Sequence, residues 1–222
     1  MSTTVSSSNK GTARKAPAER AADILDSACK LAVEQGLSSL TLRSVAARAG
    51  VTSTLVAHYS DGVDGLIAEV FTRIVSREIE EVRAAAAGGR TPTQRLRTLC
   101  EELLDGTRDN TTLVWVEALA MGYRNERLAT SVRASLDDWQ QLFSSVIADG
   151  VSCGEFAVHS PAAAAWQIQG LIDGVNEQAL VLQQAPASRG DLIYGAAERI
   201  LGLQPGSLDL NPDPTVVAGR TE

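Results

Sequence analysis

Histidine is nearly missing from this chain of 222 residues, with only His58 and His159 present. His159 stands just before a helix start and reads as a surface or capping residue rather than a base. The patterns G-x-x-x-x-G-K, G-x-G-x-x-G and H-E-x-x-H are all absent, so no catalytic constellation is legible and no enzyme is expected. The three cysteines, Cys29, Cys100 and Cys153, are odd in number and far apart, with no C-x-x-C spacing. That supports neither a zinc site nor a disulfide framework, and they read as small buried hydrophobes in a reducing compartment. No metal or cofactor is expected. There is no basic-then-apolar leader and no long apolar span, so the expected place is the cytoplasm, with no membrane partner. Aromatics make up only 4% of residues while alanine and leucine abound, which favours an all-α fold of about nine helices.

Lysine is scarce too: Lys10, Lys15 and Lys30 are the only three, all within the first thirty residues. The net charge of −7 speaks against nucleic acid until it is split. Residues 1–60 hold seven cations against Glu19, Asp23, Asp26 and Glu34, whereas the remainder holds 13 cations against 23 acids. A basic head on an acidic body is the asymmetry of a DNA reader joined to a separate module.

The head is organised around Leu40 to Ser60, LTLRSVAARAGVTSTLVAHYS. Thr41 is a good N-cap, and Val45, Ala46 and Ala49 give a small apolar face at helical spacing. Gly50 closes that helix, Val51 plugs the corner, and Thr52 caps a second helix carrying Leu55, Val56 and Tyr59. This is a helix-turn-helix, although helix–glycine–helix corners also occur in ordinary cores. The outer face favours DNA: Thr41, Arg43, Ser44, Arg48, Thr52, Ser53, Thr54 and His58 include no carboxylate.

The stretch resembles the signature of the tetracycline-repressor (TetR) family of bacterial one-component regulators. The family pattern T-x-R-x-[IV]-A-x-x-[AL]-G-V-[ST] is met by Thr41, Arg43, Val45, Ala46, Ala49, Gly50, Val51 and Thr52, continuing into His58 and Tyr59. It departs at Ala57, Ser60 and Val63, where the family has tyrosine, phenylalanine and a phosphate-contacting lysine. Further on, LVWVEALAMGYRNERLATSVRASLDDWQ (113–140) is more diffusely similar to the choline-responsive, betaine-repressor branch. The resemblance implies a homodimeric regulator, most often a repressor, binding double-stranded DNA at a near-palindromic operator. Arg43 and the Thr52–Thr54 edge are expected to read bases, with Thr41, Ser44, His58 and Tyr59 holding phosphates and register.

In chain order, residues 1–16 read as a disordered basic tail, either an arm along DNA or inert. The DNA-binding domain spans 17–62, with a first helix from Pro17 to Gln35 ended by Gly36. The helical ligand-binding and dimerisation domain spans 63–203, and 204–222 reads as a disordered tail. Asp61 is expected to cap a long helix that is either a lever between head and body or a plain connector. Thr91 to Gln94 looks like a capping box opening the next helix. Further helices are expected from about Thr111 to Tyr123, from Asn125 to about Val151, from Pro161 to about Gln184 and from about Ser188 to Leu203.

The body suggests two tasks. Gly170-x-x-x-Gly174, Ala179, Gly195 and Ala196 suggest close helix approach, either across a two-fold axis or within one chain. Trp115, Met121, Trp139, Phe143 and Trp166 lie on the same helices as Glu117, Gln169 and Asp173, which suggests an aromatic-lined site for a cationic or amphipathic small-molecule effector. They also suit a plain core. Two other functions stay open: a ligand-independent, architectural DNA-binding protein, and a helical enzyme whose apparent motif is only a corner of its core.

Overall fold

A computed structural model describes residues 16–182 and 186–208. These residues form nine α-helices and one 3-10 turn, with no strand among them. Helix α1 (Pro17–Gln35) carries proline in its first turn, where no intrahelical N–H is needed, and buries Ile24, Ala28, Leu31 and Ala32. Gly36 stops it at φ +84° and leads into the 3-10 turn Leu37–Ser39.

Helix α2 (Leu42–Ala49) opens on a reciprocal cap. Ser44 N–H donates to Thr41 Oγ1 at 2.9 Å, and Thr41 N–H donates to Ser44 Oγ at 2.9 Å. Gly50 closes it in the left-handed region at φ +66°, and Val51 N–H returns to Ala46 O. Thr52 caps α3 (Ser53–Tyr59) by accepting from Leu55 N–H at 3.2 Å. Val45, Ala46 and Val56 are buried in the same core as the stripe of α1, which fixes the angle between the two short helices.

Helix α4 (Gly62–Ala86) runs from this head into the body. There α5 (Pro92–Leu104), α6 (Asp109–Gly122), α7 (Glu126–Ser152), α8 (Pro161–Leu182) and α9 (Pro186–Leu201) complete the bundle. The core runs without a break from Ile24 of α1 to Leu201 of α9. Asn125 caps α7 by accepting from Leu128 N–H at 3.1 Å.

Local expectations fail where a side chain has a better partner. The Asp61 side chain does not cap α4; its carboxylate pairs with Arg127 of α7 instead. Thr91 caps α5, but Gln94 Oε1 accepts from Arg90 N–H at 2.9 Å rather than from Thr91, so no reciprocal box forms. Helix α6 begins at Asp109 rather than Thr111, and α9 at Pro186 rather than Ser188. Residues 204–208 are not a disordered tail. The Glu198 carboxylate accepts from the N–H groups of Gly206 and Leu208 at 3.0 and 2.8 Å, and Leu208 is buried. Lys10, Arg14 and Lys15 of the basic tail, and residues 209–222, lie outside the described residues.

Candidate nucleic-acid interface and cavity

On the head, Arg43, Thr52, Ser53, Thr54 and His58 are exposed together, and Tyr59 is half-buried with its ring edge-on to His58 at 5.1 Å. The two arginines of the motif differ. Arg48 makes a two-pronged pair with Glu34 of α1 at 2.7 and 2.5 Å, whereas Arg43 has no ion pair among the described residues. Thr41 and Ser44 have their hydroxyls engaged in the α2 cap, and Ser44 Oγ also donates to Ser39 O at 2.8 Å. Val63 sits exposed in the first turn of α4.

In the body, α4, α5, α6, α7 and α8 line a cavity of about 70 Å³, open to solvent where Leu119, Asp173 and Glu177 are exposed. A single water needs roughly 10–15 Å³, so the cavity has room for a small organic ligand. Of the residues named from sequence, Trp115, Trp139, Phe143, Gln169 and Asp173 line it together. Trp115 is held by an edge-on contact with Phe71 at 5.0 Å and by its indole N–H, which donates to Glu78 Oε2 at 3.3 Å.

The other three lie elsewhere. Trp166 faces outward from α8, 53% exposed, because the inner face of that helix is taken by Ala165, Ile168, Gln169 and Ile172. Met121 lies beyond the cavity near the end of α6, packed against the general core. Glu117 points toward the head: its carboxylate accepts from Ser38 N–H at 3.0 Å and from Ser38 Oγ at 2.7 Å. Gly36 is required beneath it, since a Cβ there would stand 2.5 Å from Glu117 Oε2 on a backbone already at φ +84°.

Three acids line the cavity, and sequence reasoning missed the buried one, Glu78. Desolvation pushes its carboxyl up to about 7, against the pull of the Trp115 hydrogen bond and Arg108, with Glu81 and Asp173 adding to the rise. Its signal was its register, since Phe71, Val75, Glu78 and Val82 fall on one buried stripe of α4. Asp173 opens toward solvent yet is also pushed up to about 7, first by desolvation and then by Glu177 beside it. Arg108, the one base on the lining, already donates to Glu102 Oε2, Glu102 O and Glu81 Oε2 at 3.0, 3.1 and 3.3 Å. Asn176, another lining residue, donates to Leu103 O at 2.8 Å. It is also the neighbour of buried Arg189, whose guanidinium clamps Asp109 at 2.6 and 3.0 Å and so ties α9 to the start of α6.

Residues 24–70 match the family model described as bacterial regulatory proteins, tetR family, and residues 92–205 match the model described as BetI-type transcriptional repressor, C-terminal. The HTH-type transcriptional regulator BetI of Burkholderia thailandensis is 32% identical over 164 residues, covering 70% of this chain and 79% of that protein. The chain belongs to the TetR family.

Among solved structures, a transcriptional regulator from Saccharomonospora viridis in complex with choline aligns with a TM-score of 0.71 at 20% identity, covering 79% of this chain and 94% of that one. FadR from Bacillus subtilis in complex with stearoyl-CoA aligns with a TM-score of 0.65 at 19% identity, covering 81% and 97%. At such identities they show the TetR fold. The chain is thus a DNA-binding transcriptional regulator of BetI type, and no helix among the described residues is long and apolar enough to cross a membrane.

The TetR body also carries an apolar face with nothing on it. Trp166, Gly170, Gly174 and Leu182 fall at four- and eight-residue spacing along α8, flanked by exposed Leu171 and Val181, with Leu192 exposed on α9. A Cβ at Gly170 or Gly174 would meet nothing within 4 Å, so neither glycine serves packing within the chain. The sequence groups Ala179 with them, but the structure buries it, with 3% exposure, within its own chain. Gly195 and Ala196 are half-buried on α9, with the Arg199 guanidinium 3.6 Å from where a Gly195 Cβ would stand.

Proposed function

We propose that this TetR-family protein is a homodimeric repressor released from a near-palindromic operator by a small cationic effector. Its working division is a DNA-reading head (17–62) and an effector-binding, dimerising body (63–203). The observation that carries the reading is the Glu117–Ser38 contact. Helix α6, which lines the cavity with Trp115, also grips the turn that leads into the helix-turn-helix.

In this reading Arg43 and the Thr52–Thr54 edge meet bases, while His58 and Tyr59 set register. Thr41 and Ser44 act through the cap that fixes where α2 begins. The exposed glycine stripe of α8 supports a two-fold interface, because apolar patches of this kind on monomers mark partner surfaces. The effector reading draws on the acids and aromatic faces of the cavity, a setting that favours a cation. An effector that binds the DNA-incompetent spacing of the heads more tightly than the competent one releases DNA by exactly that difference in affinity.

The test is recovery of sheared genomic DNA by the purified protein at two salt concentrations, beside an Arg43→Ala variant. Enrichment of one palindromic sequence, lost with Arg43 and weakened by salt, supports the reading. Absence of enrichment at low salt overturns it.

A further inference from the structure

Resting on the cationic-effector reading above, we propose that the cavity is built for a short aliphatic diamine, with one ammonium held at Glu78 and the other at Asp173 and Glu177.

The charge balance of the lining comes first. Glu78 of α4 and Asp173 and Glu177 of α8 face one small cavity, and none of them is ion-paired among the described residues. Arg108 does not neutralise them, because its guanidinium is already engaged by Glu102 and Glu81. A single cation therefore leaves acids uncompensated at one end, whereas a dication answers acids on both helices.

Hydrogen bonding separates ammonium groups from quaternary ones. Gln169 is 5% exposed, lines the cavity, and its Oε1 has no hydrogen-bond partner. Glu78 receives only the indole N–H of Trp115, a long bond at 3.3 Å. Both oxygens call for a donor, and an unmet buried acceptor is costly. A primary ammonium supplies three N–H donors; a quaternary nitrogen supplies none. The Trp115, Trp139 and Phe143 rings serve either kind of cation.

A cavity of about 70 Å³ favours a short chain, and a four-carbon diamine is the probe of that class. The charged groups facing Glu78 are Arg108, Glu81 and Asp173, and those facing Asp173 are Glu177 and Glu78. Because desolvation and neighbouring acids raise Glu78 and Asp173 to about 7, a dication that ionises the pair releases protons as it binds.

The experiment titrates the full-length protein with 1,4-diaminobutane, butylamine and choline by calorimetry at pH 7, in two buffers of different ionisation heat. The diamine is expected to bind about tenfold or more tightly than either monocation and to release more protons than butylamine. Asp173→Asn, and the double variant Asp173→Asn/Glu177→Gln, are expected to bring the diamine-to-butylamine affinity ratio from about tenfold down to about one. Choline binding as tightly as the diamine, or a diamine-to-butylamine ratio unmoved by these variants, overturns the proposal and leaves the cationic-effector reading standing. Failure of all three compounds to bind a protein that still recognises its DNA overturns both.

Discussion

Glu117, on the helix that lines the cavity, holds Ser38 through two hydrogen bonds of 3.0 and 2.7 Å, across 79 residues of sequence. A second tie joins head and body where Asp61 at the start of α4 pairs with Arg127 of α7. Loss of the first should loosen transmission without emptying the cavity. Glu117→Ala is expected to keep effector affinity within about twofold and to lower the effector's influence on DNA affinity by about fivefold, on the order of 1 kcal/mol of coupling. Operator-binding titrations with and without effector measure it; an unchanged ratio shows that α6 does not act through Ser38.

The contrast between Arg43 and Arg48 gives a prediction internal to the motif. Arg43→Ala is expected to cost about 1–3 kcal/mol of operator affinity and to relax sequence preference at one position. Arg48→Ala leaves preference intact, since its guanidinium serves Glu34 rather than solvent. Thr41→Ala should instead lower thermal stability by about 1 kcal/mol through the lost α2 cap. Binding to a panel of single-base operator variants, beside melting curves, distinguishes base reading from capping.

The head was legible because its signals are local. Thr41, Gly50 and Thr52 each act within four residues of themselves, so caps and turn could be placed from sequence alone. The cavity was only half legible. Trp115, Trp139, Phe143, Gln169 and Asp173 converge on it, but which face of α8 turns inward depends on its neighbours, and Trp166 went outward. Glu117 and Asp61 were misjudged for the same reason, since their partners, Ser38 and Arg127, stand far away in the chain. Glu78 was hidden in plain periodicity, a carboxylate occupying a core position of α4.

The open glycine stripe yields a test of assembly. At Gly170 an arginine meets no atom within 4 Å of its Cβ in the single subunit, and it favours the helix more than glycine does. Gly170→Arg is therefore expected to leave helicity unchanged, convert the sedimenting species from dimer to monomer, and weaken operator binding by about 100-fold or more through lost bivalency. A dimer that survives this substitution places the two-fold interface elsewhere.

Glu78 makes stability fall as pH rises. Its folded carboxyl, raised to about 7 from an ordinary 4.5, binds more protons than the unfolded one between those two values. Stability therefore declines as pH climbs through that window, and the full penalty of a buried, unpaired charge is present above it. Glu78→Gln removes the penalty, so the variant is expected to be more stable than the parent at pH 8, on the order of 1–3 kcal/mol, and no more stable near pH 4. At about 2–4 °C per kcal/mol for a chain of this size, the difference in Tm at pH 8 is readily measured. A cation bound at Glu78 should erase it by stabilising only the parent, because the glutamine offers no charge to pair. A Tm difference that stays constant from pH 4 to pH 8 would mean that Glu78 titrates normally and that its burial is not what tunes the cavity.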